Sequence, residues 1–162
     1  MDVRFSSAIH ALTLISETGT PMSSEQIAAS VGTNASYIRK LASLMKKAGL
    51  IDSRRGASGF WLVKGADQIT LLDVYRAVRG TDEVHVFDLH QNSSDACAVG
   101  SSIGPVLTAM FRSMEREVEL KLATQTLEDC IDLMAEHVAG GSEAEGRRPR
   151  RRDGREPQGE GP

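Results

Sequence analysis

Two short basic runs contain the side chains best suited to contact a nucleic acid. Arg39-Lys40 lies in a stretch with helical spacing, and Arg54-Arg55-Gly56 lies between two short apolar stretches. An arginine guanidinium can pair bidentately with guanine, whereas a lysine ammonium pairs with a phosphate as a point charge. A glycine beside two cations lets the backbone approach a phosphate ridge or the minor groove. We therefore expect the first run to contact bases and phosphates and the second to contact the phosphate backbone or the minor groove.

The elements that carry these runs begin with three helices. Apolar residues recur at spacings of three and four between residues 4 and 17, which predicts the first helix. Ser23 with Gln26 three positions later is a capping-box signal for a second, short helix that ends at Gly32. Thr33-Asn34 predicts the start of a third helix, from about residue 35 to residue 47. The short link between the second and third helices has the length typical of a helix-turn-helix.

The third helix has an apolar face and a polar face. We expect four of its residues to face the bundle: Ile38, Leu41, Leu44 and Met45. The remaining polar residues lie near its start or face outward, where donors for phosphates and bases are needed: Ser36, Tyr37, Arg39, Lys40 and Ser43. A solvated helix face has the same pattern, so the prediction of a DNA-reading helix also depends on the basic hairpin that follows.

That hairpin is predicted from two extended stretches, residues 51–54 and 60–63, which flank the turn at residues 55–59. Thr70 is then expected to cap a helix that runs through Val78 and ends at Gly80. The fold class expected from this order is mainly α with a small β wing, a winged helix-turn-helix over residues 1–80.

The second half of the chain predicts a long helix and a shorter one. Residues 84–87 read as a short extended piece before a polar loop. From residue 103 to about 123, an apolar stripe has the steps of three and four that suit helix-helix packing: Val106, Leu107, Met110, Met114, Val118 and Leu122. Such a stripe packs against its own domain or against a second subunit, and we expect a homodimer. Thr126 predicts the cap of a final helix.

Charge divides the chain in the same way as these patterns. Residues 1–80 contain ten basic and six acidic residues, residues 81–138 contain three and eleven, and the whole chain of 162 residues has a net charge of -3. A basic half on an acidic protein suggests that one face meets a polyanion. Residues 139–162 contain no large apolar side chain, so we expect a disordered tail there.

Several other classes of protein do not fit the sequence. A glycine-rich phosphate loop, a motif of paired catalytic carboxylates and a supported Cys/His/Asp set are all absent from the sequence, so we expect no enzymatic activity. The uncharged stretches at residues 5–16 and 96–111 are too short to span a bilayer, and a cytoplasmic protein without membrane contact is expected. A winged-helix adapter for other proteins is the alternative to a DNA-binding regulator, and the basic wing argues against it.

The sequence resembles the Rrf-two (Rrf2) family of bacterial winged-helix repressors. The resemblance is carried by residues 41–64 and 69–78, extends to residues 8–12 and 97–100, and covers most of residues 3–135. It implies a DNA-binding homodimer joined through the long helix. The family's paired glycine in the wing is Ser58-Gly59 in this chain, which leaves the conformation of the wing open.

Several members of that family hold an iron-sulfur cluster through three closely spaced cysteines before the long helix. This chain has Cys97 there and one further cysteine, Cys130, so a three-cysteine cluster is excluded. A mixed-ligand cluster would need a histidine from among His10, His85 and His90. We therefore expect no cofactor, and a branch of the family that responds to a small molecule, a partner protein or thiol oxidation.

Cys97 is the candidate for a redox sensor. It precedes the expected start of the long helix, where amides at a helix N-terminus would stabilise a thiolate. The alternative is a small residue that packs the hinge. Cys130 and His10 are expected to be packed residues, since both lie on helices with apolar faces.

Overall fold

The computed structural model describes residues 3–54, 59–91, 93 and 96–145, with side chains through residue 140. Its elements, in chain order, are α1 (Arg4–Thr18), α2 (Ser24–Val31), α3 (Ala35–Lys47), β1 (Ile51–Asp52), β2 (Trp61–Leu62), a 3-10 turn (Ala66–Gln68), α4 (Leu71–Arg79), α5 (Ala98–Thr124) and α6 (Leu127–Glu145). Contacts divide the chain into two units, Met1–Ile131 and Asp132–Pro162. The predicted fold class, mainly α with a small β wing, is confirmed.

The core of the first unit lies where α1 to α4 pack together. Its fully buried side chains come from each of these helices, from β1 and from the first residue of α6, and include Leu12, Ile27, Ile38, Leu41, Met45, Ile51, Val74 and Leu127. Burial of apolar area is the main stabilising term in folding. The apolar face of α3 is as predicted, except that Leu44 is only half-buried.

Side-chain caps fix where these helices begin. The Ser23 hydroxyl accepts the Gln26 amide hydrogen at 3.2 Å, and the Gln26 side chain accepts the Ser23 amide hydrogen at 2.8 Å. Asn34 Oδ1 accepts the amide of Tyr37 at 2.8 Å, and Thr70 forms a second capping box with Asp73. Each cap satisfies amides that the first helical turn leaves without partners. The predicted starts of α2, α3 and α4 are confirmed.

The two strands of the wing are shorter than the sequence suggested. β1 and β2 pair antiparallel over two residues each, Ile51 with Leu62 and Asp52 with Trp61. The amide and carbonyl of Phe60 instead bond to Met22, at 2.8 and 3.1 Å. The amide and carbonyl groups of one strand residue point to the same side of the strand. Because both groups of Phe60 bond to the α1-α2 link, they cannot also pair with the residue after β1. The predicted strand at residues 60–63 was therefore too long.

The connection to α5 also differs from the prediction. Residues 84–87 form no strand, because side chains of α4 and α5 take up much of their backbone hydrogen bonding. α5 begins at Ala98, five residues before the predicted start, because Cys97 occupies its N-cap position. Thr126 and Asp129 form reciprocal side-chain-to-amide bonds at 3.2 and 2.8 Å, which confirms the predicted cap of the last helix.

α6 continues to Glu145, beyond the predicted boundary at residue 138. Residues 146–162, the rest of the predicted disordered tail, lie outside the described residues, so that prediction stays a prediction. Among the helices that the structure describes, none is both long and apolar enough to cross a membrane.

Candidate nucleic-acid interface

The outer face of α3 presents three of the predicted contact residues to solvent. Ser36, Arg39 and Lys40 are exposed, while Ile38 and Leu41, which flank Arg39-Lys40 in the sequence, are buried in the core. The helix spacing therefore separates a face that packs from a face that is free to meet a ligand. Donors on one exposed helix face are what contact with a major groove requires.

Arg39 is engaged in an ion pair that the sequence did not indicate. Its Nη2 lies 2.6 Å from Glu25 Oε1 on α2, with the Arg39 side chain 59% and the Glu25 side chain 63% exposed. The Glu25 backbone amide, followed by Arg39, holds the pKa of the Glu25 carboxyl below its ordinary value. The two residues are separated by 14 positions, so no local spacing connects them. A surface pair of this kind is weak and can open when a stronger anion approaches.

Tyr37 departs from the outward position that we expected. Its ring packs against the core, and its hydroxyl is buried without a hydrogen-bond partner among the described residues. The residue lies in the first turn of α3, where its backbone amide serves the Asn34 cap. Tyr37 thus supports the start of the helix, and its contact with DNA stays a prediction.

Lys46, which we did not single out, joins α3 to the base of the wing. Its Nζ lies 2.8 Å from Asp52 Oδ1 and donates to the carbonyl and hydroxyl oxygens of Ser53 at 3.1 and 3.0 Å. Lys46 and the Ser53 amide hold the pKa of Asp52 below its ordinary value. Arg54 follows and is exposed. Arg55 and Gly56, the other predicted wing contacts, lie outside the described residues.

Gly59 allows the backbone to pass close to the α1-α2 link just before β2. Its φ of 134° lies in the region that favours glycine, and a Cβ at this position would meet the Met22 amide nitrogen and Pro21 Cβ at 2.7 and 2.8 Å. Only glycine fits both the backbone conformation and this close approach. The base of the wing is therefore fixed on both strands: Lys46 bonds to the end of β1, and the α1-α2 link packs against the residues before β2.

The candidate sensor Cys97 is exposed and caps α5. Its Sγ accepts the Gly100 amide hydrogen at 3.1 Å. The sequence placed Cys97 before the N-terminus of the long helix, and the structure places it there, although α5 begins at Ala98 rather than at residue 103. Cys130 is half-buried on α6.

The three histidines considered as cluster ligands have other partners. His10 is exposed and bonds to Ser30 Oγ at 3.0 Å, so the prediction that it is a packed residue was wrong. His85 contacts Asp88 and Glu115, and His90 contacts Ser93. In the described parts of the chain, no three His, Cys, Asp or Glu side chains are grouped to hold a metal. One capping thiol and dispersed histidines do not fit the donor set of an iron-sulfur cluster.

The apolar stripe of α5 divides into an exposed part and a packed part. Val106, Met110, Met114 and Val118 are exposed, the two methionines by 49% and 45%. Leu122 instead packs against the buried cluster of Leu72, Tyr75 and Val84 within the same unit. A row of large apolar side chains left exposed along one helix is typical of a surface that a partner covers.

Comparison with known proteins agrees with this architecture. The sequence profile of the family described as "Rrf2, iron-dependent transcriptional regulator" matches residues 1–133. YwnA of Bacillus subtilis (strain 168), whose name describes it as an HTH-type transcriptional regulator, is 42% identical over 129 residues, which are 80% of this chain and 95% of YwnA.

Solved structures show the same fold. A crystal structure described as that of a DNA-binding protein is 40% identical, with a TM-score of 0.64 over 79% of this chain and 98% of its own. CymR, the global cysteine regulator of B. subtilis, is 21% identical, with a TM-score of 0.62 over 82% of this chain and 95% of its own. IscR of T. potens is 21% identical, with a TM-score of 0.63 over 85% of this chain and 89% of its own. The chain belongs to the Rrf2 family of transcriptional regulators.

Proposed function

We propose that this protein is a cytoplasmic, homodimeric repressor that binds a specific DNA sequence. One observation carries the proposal: α3 exposes Ser36, Arg39 and Lys40, while Lys46 on the same helix bonds to the base of the wing. Helix and wing are thereby held as one unit. A recognition helix and a wing in fixed relation can contact the major groove and the adjacent backbone together.

The proposal assigns roles along the chain. Residues 1–80 read DNA, with Arg39 on base edges, Lys40 on phosphate and Arg54, Arg55 and Gly56 in the wing. Residues 81–138 receive the signal and form the dimer through the exposed face of α5. In a symmetric dimer the two reading helices face successive turns of a palindromic site. Membership of a transcriptional-regulator family supports this assignment.

Fluorescence anisotropy with a duplex from the promoter of the protein's own gene tests DNA binding. We expect tight binding that weakens steeply as salt rises, because each phosphate contact releases counterions. Arg39→Ala and Arg54→Ala should weaken it. Lys121→Ala, which removes an exposed cation on α5, is the matched control and should change it little. Undetectable or salt-insensitive binding would contradict the proposal and favour a protein-interaction adapter.

Two kinds of signal fit the second half of the chain. A small molecule could occupy a cavity of about 360 Å³ between residues 83–91 and α5, whose lining includes His85, Phe87, Phe111 and Arg112. Alternatively, oxidation of the exposed Cys97 thiol would remove the cap of α5. Peroxide treatment separates the two: loss of DNA binding in the wild type but not in Cys97→Ser indicates the thiol, and an equal response excludes it.

A further inference from the structure

The segment that connects α4 to α5 is held by side chains of α4. We call residues 82–87 the strap. Tyr75 Oη donates to the carbonyl oxygen of His85 at 2.9 Å and accepts the His85 amide hydrogen at 3.1 Å. Arg76 Nε donates to the carbonyl oxygen of Asp82 at 2.9 Å. Two neighbouring residues of the DNA-binding domain thus hold the strap by its backbone.

Glu115 of α5 holds the strap from the other side. Its Oε1 accepts the amide hydrogens of Val86 at 2.8 Å and Phe87 at 3.1 Å, and it lies 3.3 Å from His85 Nδ1. Glu115 is only 9% exposed, in the middle of a helix whose neighbouring positions are mostly exposed. A buried carboxylate is costly unless donors satisfy it, and here the strap supplies the donors.

Packing reinforces the same connection. Val84 of the strap is 5% exposed and packs with Leu72 and Tyr75, and the Phe87 ring lies against Phe111 of α5 with ring centroids 5.1 Å apart. Arg76 also pairs directly with Glu119 of α5, at 2.6 Å. The strap is therefore tied to both helices, although it contains no regular secondary structure.

We propose that Glu115 is a positioning residue for DNA binding: it holds the strap against α5 and thereby sets how the DNA-binding domain is carried on α5. The inference rests on the proposed function. In a dimer that joins through α5, a loose connection would let the two reading helices vary in separation, and ordering them on DNA would then cost affinity. The strap also forms one wall of the cavity described above, so a ligand there would act directly on this connection.

Variants of the full-length protein test the proposal. Glu115→Ala removes the acceptor, Glu115→Gln retains an oxygen that can accept an amide, and Glu117→Ala removes an exposed carboxylate from the same helix as the control. We expect Glu115→Ala to speed amide hydrogen exchange at Val86, Phe87 and His85 by about tenfold or more. We also expect it to lower DNA affinity by roughly five- to tenfold. Glu115→Gln should restore part of the exchange protection and part of the DNA affinity, and Glu117→Ala should resemble the wild type in both.

Tyr75→Phe provides a second variant that keeps the packed ring and loses only the hydroxyl. Because both residues act through His85 and its neighbours, the affinity losses of Tyr75→Phe and Glu115→Gln should not add in the double variant. Faster exchange at Val86 and Phe87 with DNA affinity equal to that of Glu117→Ala would overturn the proposal. If the wild type bound no DNA, the proposed function would fail, and unchanged exchange at His85 in Glu115→Ala would separately overturn the coupling.

Discussion

Glu25 of α2 and Arg39 of α3 form an ion pair of 2.6 Å across the turn of the helix-turn-helix. The guanidinium that we expect to read a base is therefore already occupied by a carboxylate in the free protein. To contact DNA it must share or exchange this partner. Glu25 itself places a negative charge beside the face of α3 that we expect to meet phosphates.

Neutralising Glu25 tests the effect of this pair on DNA binding. We expect Glu25→Gln to raise affinity for duplex DNA by roughly two- to fivefold at low salt, because one charge that repels DNA is lost and Arg39 is released. The measurement is anisotropy at several salt concentrations. Glu17→Gln, which neutralises an exposed carboxylate on α1, is the control. Weaker binding by Glu25→Gln would mean that Glu25 instead orients Arg39 for its contact.

Gly59 provides a test of the base of the wing. Alanine there would place a Cβ 2.7 Å from the Met22 amide nitrogen and would force a strained φ. We expect Gly59→Ala to lower the free energy of unfolding by about 1–3 kcal/mol. Gly104 lies in α5 with open space around its Cβ position, so Gly104→Ala should stabilise by about 0.5–1 kcal/mol. Urea unfolding of both variants gives the comparison, and equal effects would contradict the close approach at Gly59.

The capping box of α2 makes a separate prediction about stability. Ser23→Ala removes the oxygen that accepts the Gln26 amide and should cost about 1 kcal/mol. Ser43→Ala, on the exposed face of α3, should be neutral or slightly stabilising because alanine is the better helix former. Thermal unfolding by circular dichroism measures both. An unchanged midpoint for Ser23→Ala would show that the cap contributes nothing in this protein.

Glu115 predicts a pH dependence of stability. Burial raises the pKa of its carboxyl, but the Val86 and Phe87 amides, together with the charges of His85 and Arg112, lower it, and the net pKa lies below its ordinary value. A carboxyl whose folded pKa is lowered stabilises the native state fully above its ordinary, unfolded pKa, and this stability is lost as pH falls through the folded pKa.

The free energy of unfolding should therefore fall less steeply in Glu115→Gln than in the wild type when pH is lowered from 5 to about 3. Urea unfolding across this range gives the slopes. Glu117→Gln, an exposed position on the same helix, should keep the steeper slope of the wild type. Equal slopes for wild type and Glu115→Gln would show that the strap amides do not stabilise the charged carboxylate.

The exposed face of α5 predicts the oligomeric state. Met110→Glu or Met114→Glu would place a charge in the apolar row that we expect a second copy to cover. An unpaired charge at such an interface is strongly unfavourable, so either variant should shift a dimer toward monomer. Sedimentation velocity measures the shift. Ser113→Glu introduces the same charge at an exposed position outside the apolar row and should leave the dimer intact, and equal dissociation by all three variants would contradict the assignment of the row as the interface.

The sequence by itself determined where most helices begin and end. The caps at Ser23, Asn34 and Thr70 join atoms only three residues apart, so their signals are local and readable. The alternation of apolar and polar residues on α3 likewise fixed which face packs, since helical spacing alone sets it. The predicted bounds of β1, β2 and α5 were less accurate. Phe60 and Cys97 form hydrogen bonds that the spacing of apolar residues does not indicate.

Only the tertiary structure decided the contacts that couple these elements. Arg39 meets Glu25 across 14 positions, and Glu115 meets Val86 across 29. Contacts between residues so far apart in the sequence depend on the angles at which the helices pack, and residue spacing does not encode those angles. The sequence could therefore name the side chains that we expect to contact DNA, whereas the fold decided which carboxylate pairs with Arg39 and which one accepts the strap amides.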